Sequence, residues 1–404
     1  MAAAGAVLLA VSFYVLQRWL EQGQLSDAPI YERYAALVRG GAVPYRDFRF
    51  EYPPAALPAL LVPAYLGWSY ATSFAVLMGF CGAGCLAASA AALRTVGSGV
   101  ARSAGALLLI GVSPLMLGSL FDSRFDLWPT LLAVAALAAL VRERPVATGA
   151  LLGLGFAAKL WPGVLLPIAL AHLWRRRGRG SAVAGLAAFA CVAAACFLPF
   201  AVLAPGGLRA SLTGQLERPL QVESLGAAVL MAAQHLGMHP LATVSTHGAQ
   251  ALSGRGAGLA ADVSTAVELA LVVGVWIAFA RRRDSTADSV LVAAAAAIVA
   301  LVAFAKVLSP QYLIWLVPLV ALVPGRRRIE AAVLLLAALV LTQAWFPSHY
   351  WQLALTHSSP WSWYLLARDL VLVALAAVLI AELRPVRRFA GGKAGWRAAR
   401  RAAA

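Results

Sequence analysis

The polar segment 26–54 carries the densest set of side chains that could do chemistry. Asp27, Tyr31 and Tyr34 are four and then three positions apart, so a helix would present all three on one face. A carboxylate can take the proton of a hydroxyl group, and aromatic rings can cover the apolar C–H faces of a sugar. This face therefore predicts a carbohydrate site, although Asp27 could also be a simple N-cap of that helix.

Lysine is rare in this chain, and two of its three lysines stand in unusual places. Lys393 belongs to a basic tail, whereas Lys159 and Lys306 lie at the ends of apolar segments. A charge at membrane depth costs about 2.5–3.5 kcal/mol on insertion scales, so such residues usually face a cavity or a partner. We interpret both as ligands of an anion, most simply a phosphate. The alternative is that they snorkel to the membrane interface.

A charged turn between two apolar segments contains Asp122, Arg124 and Asp126. The two aspartates are four positions apart, so a helix that begins early would carry them on one face. They could contribute to the same site as the lysines. The alternative is an ion-paired helix cap, because aspartate is favourable near a helix N-terminus.

The histidines do not predict a metal site. His235 and His239 have the spacing of one helix face, but neither a carboxylate nor a third histidine nearby completes a set of ligands. His349 and His357 lie in the last polar loop, from which they could reach the same cavity as the lysines. The sequence also lacks a Walker lysine pattern and the motifs H-E-x-x-H, G-x-S-x-G and D-x-D.

The elements that must position these residues are membrane helices. The chain is 62% hydrophobic and 12% charged, which is far from the average of about 45–50% and about 25% in soluble domains. Helices satisfy every backbone hydrogen bond within one segment in lipid, and the alternation typical of a β-barrel is absent. We predict an all-α bundle with about twelve membrane helices, a long first extracytoplasmic loop at 21–54 that carries the catalytic residue, and an interfacial or re-entrant segment at 55–67. The predicted spans are about 4–20, 69–93, 103–119, 127–141, 146–158, 162–174, 181–203, 259–280, 288–304, 311–323, 329–346 and 363–383.

The basic residues predict the orientation of this bundle. The net charge is +16, and arginine triplets at 175–177, 281–283 and 326–328 separate apolar segments. With both termini in the cytoplasm, every triplet falls inside, as the positive-inside rule requires. This pattern argues against nucleic-acid binding as the use of the charge. The polar loops, including a long one at 204–258, then collect on the outer face, which is typical of a protein that works on one side of the membrane.

Several motifs resemble those of one family. The first loop, Asp27 to Pro54 with Gly41-x-x-Pro44-Tyr45-x-Asp47 and Glu51-Tyr52-Pro53-Pro54, resembles the first extracytoplasmic loop of glycosyltransferase family 87. These are bacterial mannosyltransferases that use polyprenyl-phosphate-mannose. The stretches 125–129, 155–162 and 309–316 are also similar to that family, and the resemblance extends over about residues 20–380.

The resemblance implies a GT-C fold whose active site faces away from the cytoplasm of a bacterial plasma membrane. It implies that Asp27 is the catalytic base, while Asp47 and Glu51 in the same loop are alternatives. The residues expected to bind donor or acceptor are Tyr31, Tyr34, Glu51, Tyr52, Arg124, Asp126, Lys159, Lys306, Gln311 and His349. The segment from Arg218 to Glu223 could also contact the acceptor.

The expected partners are a polyprenyl-phosphate sugar donor, a glycolipid or polysaccharide acceptor and membrane lipids, with neither metal nor cofactor. We predict one transmembrane domain over residues 1–383 and a basic cytoplasmic tail over 384–404. Three alternatives stay open: a transporter or lipid flippase with Asp122, Asp126, Lys159 and Lys306 along its path, a non-catalytic membrane scaffold, and a transferase of another sugar such as arabinose or galactose. A transporter would need polar surface on both sides and often shows repeated halves, and no clear repeat is present.

Overall fold

The computed structural model of the protein describes residues 1–20, 25–282 and 285–383. Helices make up 76% of the structure, and the described residues contain a single two-stranded sheet. The prediction of a polytopic helical bundle is confirmed. The predicted basic tail, 384–404, lies outside the described residues.

The helices and strands are numbered along the chain. The first ten helices are α1 (Ala2–Val15), α2 (Ala28–Arg39), α3 (Leu57–Leu61), α4 (Tyr70–Thr95), α5 (Val100–Gly111), α6 (Ser113–Leu117), α7 (Leu120–Ser123), α8 (Leu127–Leu140), α9 (Pro145–Ala158) and α10 (Leu166–Arg177). The remaining elements are α11 (Arg179–Leu203), α12 (Pro205–Leu216), α13 (Leu225–His235), β1 (Leu241–Thr246), β2 (Ala249–Gly254), α14 (Ala257–Arg281), α15 (Ala287–Phe304), α16 (Leu313–Ala321), α17 (Arg328–Trp345), α18 (Tyr350–Thr356) and α19 (Ser359–Glu382).

Seven helices in the described ranges are long and apolar enough to cross a membrane. They are α1 with the turn that follows it, α4, α11, α14, α15, α17 and α19. Helices α5, α8 and α9 are apolar but shorter, as are Pro54–Tyr65, α13 and Pro310–Ala321. A span needs about 20 residues if it is straight. The number of twelve crossings and the interfacial place of 55–67 therefore stay predictions.

The predicted single span at 103–119 is interrupted just before the segment that carries Arg124. Pro114 begins α6 instead of continuing α5, because proline lacks the amide proton that an inner helical turn needs. Gly118 then has φ +57°, which favours glycine, and a Cβ there would lie 2.9 Å from the side chain of Gln343. The Gln343 amide donates a hydrogen bond to the Leu117 carbonyl at 2.7 Å. The chain then enters α7, and Arg124 follows the last residue of that helix.

Helices α9 and α11 pack closely against each other through glycine residues. On α9, a Cβ at Gly149 would collide with the backbone of Gly185 on α11, and a Cβ at Gly153 would collide with the backbone of Phe189. Only glycine permits so short a distance between two helices. The alanine-rich helix α15 is the most buried span and forms the centre of the bundle.

The predicted long loop at 204–258 is a folded unit. It contains α12, α13 and the antiparallel hairpin β1–β2, in which Thr246 pairs with Ala249 across the turn. The two turn residues, His247 and Gly248, have φ of +51° and +68°. A two-residue turn with positive φ at both positions suits the right-handed twist of the strands. This hairpin supplies one wall of the cavity described below.

Candidate active site

A cavity of about 500 Å³ collects polar groups from distant parts of the chain. Its walls come from eight parts, near residues 25–30, 51–53, 124, 159–161, 211–223, 248–250, 309–315 and 346–351. All eleven predicted site residues lie in the described ranges, and six of them line the cavity. These six are Asp27, Glu51, Tyr52, Arg124, Lys159 and Gln311.

Asp27 forms an ion pair with Arg124, in which the arginine Nη1 contacts the aspartate Oδ2. The Tyr31 hydroxyl donates to the same carboxylate oxygen at 3.3 Å. Asp27 does precede α2, but its side chain makes no capping hydrogen bond within the described residues. The N-cap alternative is therefore wrong for the side chain, which points to the cavity and is 21% exposed.

A second ion pair lies beside the first. The Lys159 Nζ donates to the Asp126 Oδ1 at 2.6 Å, and the indole nitrogen of Trp315 donates to the same oxygen at 2.6 Å. The lysine ammonium also lies 5.0 Å from the ring centroid of Phe125. Asp126 is fully buried, so it stands behind Lys159 and not in the cavity wall. Lys159 is therefore held inside the protein and does not snorkel to the interface.

Asp122, Arg124 and Asp126, which the sequence places in one charged turn, each have a partner from another part of the chain. The amide of Gln17 donates to Asp122, whereas Arg124 pairs with Asp27. Asp126 occupies the position before α8, but its side chain makes no cap hydrogen bond among the described residues. The ion-paired cap is thus replaced by two separate pairs that fix the turn from both sides.

The two tyrosines on the predicted aromatic face of α2 are buried against other aromatic rings. Tyr31 is 1% exposed and packs edge-on against Tyr52 at a centroid distance of 6.0 Å. Tyr34 packs between Phe48 and Phe50 at 5.7 and 5.1 Å. Burial raises the pKa of Tyr34 to about 12, so its phenol stays protonated. Of the three tyrosines predicted to bind substrate, Tyr52 alone lines the cavity that the described residues form.

Three other predicted residues lie outside the cavity wall. The Lys306 Nζ donates a hydrogen bond to the carbonyl of Leu216, the last residue of α12, at 2.8 Å. The ring of His349 stacks on Trp361 with centroids 3.9 Å apart. Asp47, the alternative base, pairs with Arg46 on the surface at 2.9 Å, and that hydrogen bond lowers the pKa of Asp47 to about 2. Such a carboxylate is a weak base and has no access to the cavity.

Glu51 and Gln311 lie in the wall as predicted. A Cβ at Gly248 would lie 3.3 Å from the Glu51 Oε2, so the tip of the hairpin rests against this carboxylate. Glycine at the tip thus permits the hairpin to approach. The Gln311 Oε1 accepts a hydrogen bond from the Ser309 hydroxyl at 2.6 Å.

The structure adds functional groups that the sequence analysis missed or mentioned only as a segment. Arg218, Gln221 and Glu223 line the cavity, and so does Tyr350 from α18. Burial raises the pKa of Glu223 to about 7. A signal was present in the sequence, because Arg218, Gln221 and Glu223 are polar residues set among apolar ones between two helices. Tyr350 gave no comparable signal among the aromatic residues around it.

Three stacked aromatic rings form part of the cavity wall. Trp315 stacks with Trp161 at a centroid distance of 4.9 Å and with Tyr312 at 4.2 Å. All three line the cavity. Flat apolar surfaces beside carboxylates and cations fit a ligand with both charged and apolar parts.

The described residues contain no group of three His, Cys, Asp or Glu side chains that could hold a metal ion. Asp27 in the cavity wall and Asp126 next to it pair with basic side chains instead. The absence of a metal and of a cofactor in the reaction stays a prediction.

Two comparisons bear on the fold and on the family of the protein. The fold is similar to the crystal structure of ArnT from Cupriavidus metallidurans bound to undecaprenyl phosphate. The similarity has a TM-score of 0.50 at 13% identity, and it covers 94% of this chain and 77% of that one. The sequence model of glycosyltransferase family 87 matches residues 50–310, and the chain belongs to this family. No curated protein matches the chain at a significant level.

The protein is thus a multi-pass membrane glycosyltransferase. The matched range includes Glu51, Arg124, Lys159 and Glu223 but begins after Asp27. The role of Asp27 therefore depends on its geometry.

Proposed function

We propose that the protein transfers a sugar from a polyprenyl-phosphate donor to a lipid or glycan acceptor on the extracytoplasmic face of a bacterial plasma membrane. One observation carries this proposal: Asp27 shares a cavity with two cations, Arg124 and Lys159, that are largely withdrawn from solvent. The carboxylate suits a base, and the cations suit the phosphate that leaves. We take mannose as the sugar, because the first loop resembles that of mannosyltransferases, with arabinose and galactose as alternatives.

The donor phosphate would bind to Arg124 and Lys159. Arginine offers several donors in a plane that matches phosphate oxygens, and lysine adds a compact positive charge. The structurally similar ArnT was crystallised with undecaprenyl phosphate, which supports a polyprenyl phosphate as the donor for this chain. As the bond to the sugar breaks, negative charge grows on the phosphate, and fixed cations stabilise that charge in the transition state.

Asp27 would act as the general base. The acceptor oxygen attacks the anomeric carbon while the bond from that carbon to the phosphate oxygen breaks, and the electron pair leaves with the lipid phosphate. Asp27 takes the proton of the acceptor hydroxyl. A phosphate needs no acid to leave, so one carboxylate suffices, unlike the two of a glycosidase. A single displacement inverts the centre, so a β-linked donor gives an α-linked product.

Arg124 connects the two halves of this mechanism. In the structure it pairs with Asp27, and a bound phosphate would compete for the same guanidinium. Phosphate binding would then release the Asp27 carboxylate for the acceptor hydroxyl. Lys159 keeps its own partner, Asp126, so the second cation stays in place during the exchange.

The proposal is tested by transfer from radiolabelled polyprenyl-phosphate-mannose to mixed envelope lipids, with purified protein in nanodiscs. We expect Asp27→Asn to lower the rate by at least about 100-fold, as for the loss of a general base. The matched control is Asp47→Asn, which changes a surface carboxylate of the same loop and should keep the rate within about twofold.

Either of two results would contradict parts of this proposal. Transfer by folded Asp27→Asn at the wild-type rate would keep the enzyme class and move the base to Glu51 or Glu223. Lack of transfer by the wild type with mannose, arabinose and galactose donors would reject the proposed reaction and favour the transporter.

A further inference from the structure

The segment that joins α12 to α13, residues 217–224, is fixed at three points. The Gln221 amide donates to the Lys306 carbonyl at 2.9 Å, and the Val222 amide donates to the Gln250 carbonyl at 3.1 Å. The Arg368 guanidinium on α19 donates to the Glu223 carbonyl at 2.8 Å. The backbone is therefore held by the hairpin, by the turn before α16 and by a membrane helix.

Two side-chain oxygens of this rigid segment are buried in the cavity wall without a protein donor. Gln221 is 5% exposed and Glu223 is 2% exposed. The Gln221 Oε1 and the Glu223 Oε2 have no hydrogen-bond partner among the described residues. A buried acceptor that lacks a donor is unfavourable, and a ligand with donors relieves it. This part of the wall therefore favours a ligand with hydrogen-bond donors.

The chemistry of this wall differs from that of the cation end. A phosphate diester has oxygen acceptors but lacks donors, so it cannot satisfy the amide oxygen of Gln221 or the ionised carboxylate of Glu223. Hydroxyl groups can, because each offers one O–H. The Tyr350 side chain, which interacts with the Glu223 carboxyl, and the neighbouring Trp351 add aromatic surface on this side. A carboxyl, an amide and aromatic rings together fit a polyhydroxyl ring.

We propose that Gln221, Glu223 and Tyr350 form a hydroxyl-binding subsite that holds a sugar or another polyol ring next to the phosphate-binding cations. The proposal rests on the proposed function and adds the residues that orient the sugar or polyol ring. Two sources of the ring share this chemistry: the sugar of the donor and the head group of the acceptor. The phosphate and its lipid lie outside this subsite in both cases.

Binding measurements test the subsite without requiring turnover. The protein in nanodiscs is titrated with undecaprenyl phosphate, with its mannosyl ester, and with methyl α-mannoside at saturating undecaprenyl phosphate. The signal is tryptophan fluorescence, because Trp161, Trp315 and Trp351 line the cavity. The variants are Glu223→Gln and, as a matched control, Glu217→Gln, which changes an exposed carboxylate of the same segment.

At pH 8, where Glu223 is ionised, we expect Glu223→Gln to weaken a sugar-bearing ligand by at least about tenfold, as for the loss of one hydrogen bond to a buried charged group. Binding of undecaprenyl phosphate should stay unchanged, which also shows that the variant is folded. Weaker binding of the mannosyl ester assigns the ring to the donor, and weaker binding of methyl α-mannoside alone assigns it to the acceptor.

Unchanged binding of both sugar ligands would overturn the proposal, as would an equal loss for undecaprenyl phosphate or for the Glu217→Gln control. A failure of the proposed function is distinguishable from these results. In that case transfer is absent while the binding constants still respond to Glu223.

Discussion

Arg124 ends α7 in an extended conformation, with φ −125° and ψ 135°, so its guanidinium leaves the line of the helix and meets Asp27. It also donates to the Leu25 carbonyl at 3.4 Å, which fixes the chain just before Asp27. One side chain thus determines where the carboxylate lies and how its charge is balanced. A lysine would retain the charge but could not make both contacts with one planar group.

Glu223 is expected to make the stability of the protein depend on pH. Burial raises its pKa from 4.5 to about 7, although Gln221, Arg368 and Arg218 act to lower it. Between these two values the unfolded chain releases a proton that the folded protein keeps, so stability falls as the pH rises through this window. The loss is on the order of 3 kcal/mol and is complete above about pH 7.

The measurement is the melting temperature of the wild type and of Glu223→Gln from pH 4.5 to 8. The variant does not titrate at this position, so the wild-type value should fall relative to it up to pH 7 and then stay level. A difference that is constant over the whole range would show that Glu223 is ionised in the folded protein. Glu217→Gln serves again as the control and should follow the wild type at every pH.

Single residues of the site could be predicted where they conflict with their surroundings. Lys159 and Arg124 interrupt apolar segments, and both line the cavity. Their partners could not be predicted, because Arg124 has two aspartates nearby in sequence and pairs with neither. His349 is the opposite case. The loop that carries it lines the cavity, but its ring stacks on Trp361 and is not part of the cavity wall.

At the scale of elements, the contact between α9 and α11 holds the segment that carries Lys159. Gly149 lies against the backbone of Gly185, which cannot move aside as a flexible side chain can. In a helix interior, alanine is normally more favourable than glycine by about 1 kcal/mol. Steric overlap with a backbone reverses that preference.

We therefore expect Gly149→Ala to destabilise the protein by about 1–3 kcal/mol and to lower the melting temperature. Gly274→Ala on α14 is the matched control, because a Cβ there has no heavy atom of the described residues within 4 Å. It should leave the melting temperature equal or slightly higher. If both variants melt like the wild type, α9 and α11 are farther apart than the structure places them.

The helices were predictable from apolar runs, but their interruptions were less so. The span 103–119 reads as continuous because Pro114 and Gly118 are the kinds of residue that membrane helices often tolerate. Their effect depends on Gln343, which comes from a distant helix. The hairpin β1–β2 was missed because polar and small residues around His247 and Gly248 resemble an ordinary loop.

At the scale of the whole molecule, the two ends of α9 carry different charged groups: a cation of the cavity at one end and an ion pair at the other. Lys159 follows its last residue and lines the cavity, whereas Glu143 precedes its first residue and pairs with Arg176 at 2.8 Å. Fourteen helical residues span about 21 Å, so these groups lie at opposite ends. The arginine triplet at 175–177 is thus remote from the cavity. By the positive-inside rule, the cavity would face outward.

This orientation predicts which positions a membrane-impermeant maleimide can reach in intact cells. The four native cysteines would first be replaced by alanine, and one cysteine would be introduced at a time. Asp47→Cys is near the cavity end, where the native side chain is 37% exposed, and should be labelled from outside. Arg176→Cys, at a site where the native side chain is 54% exposed, should be labelled only after the cells are permeabilised. The opposite pattern would place the cavity in the cytoplasm, where the reaction would draw on a donor on the inner leaflet.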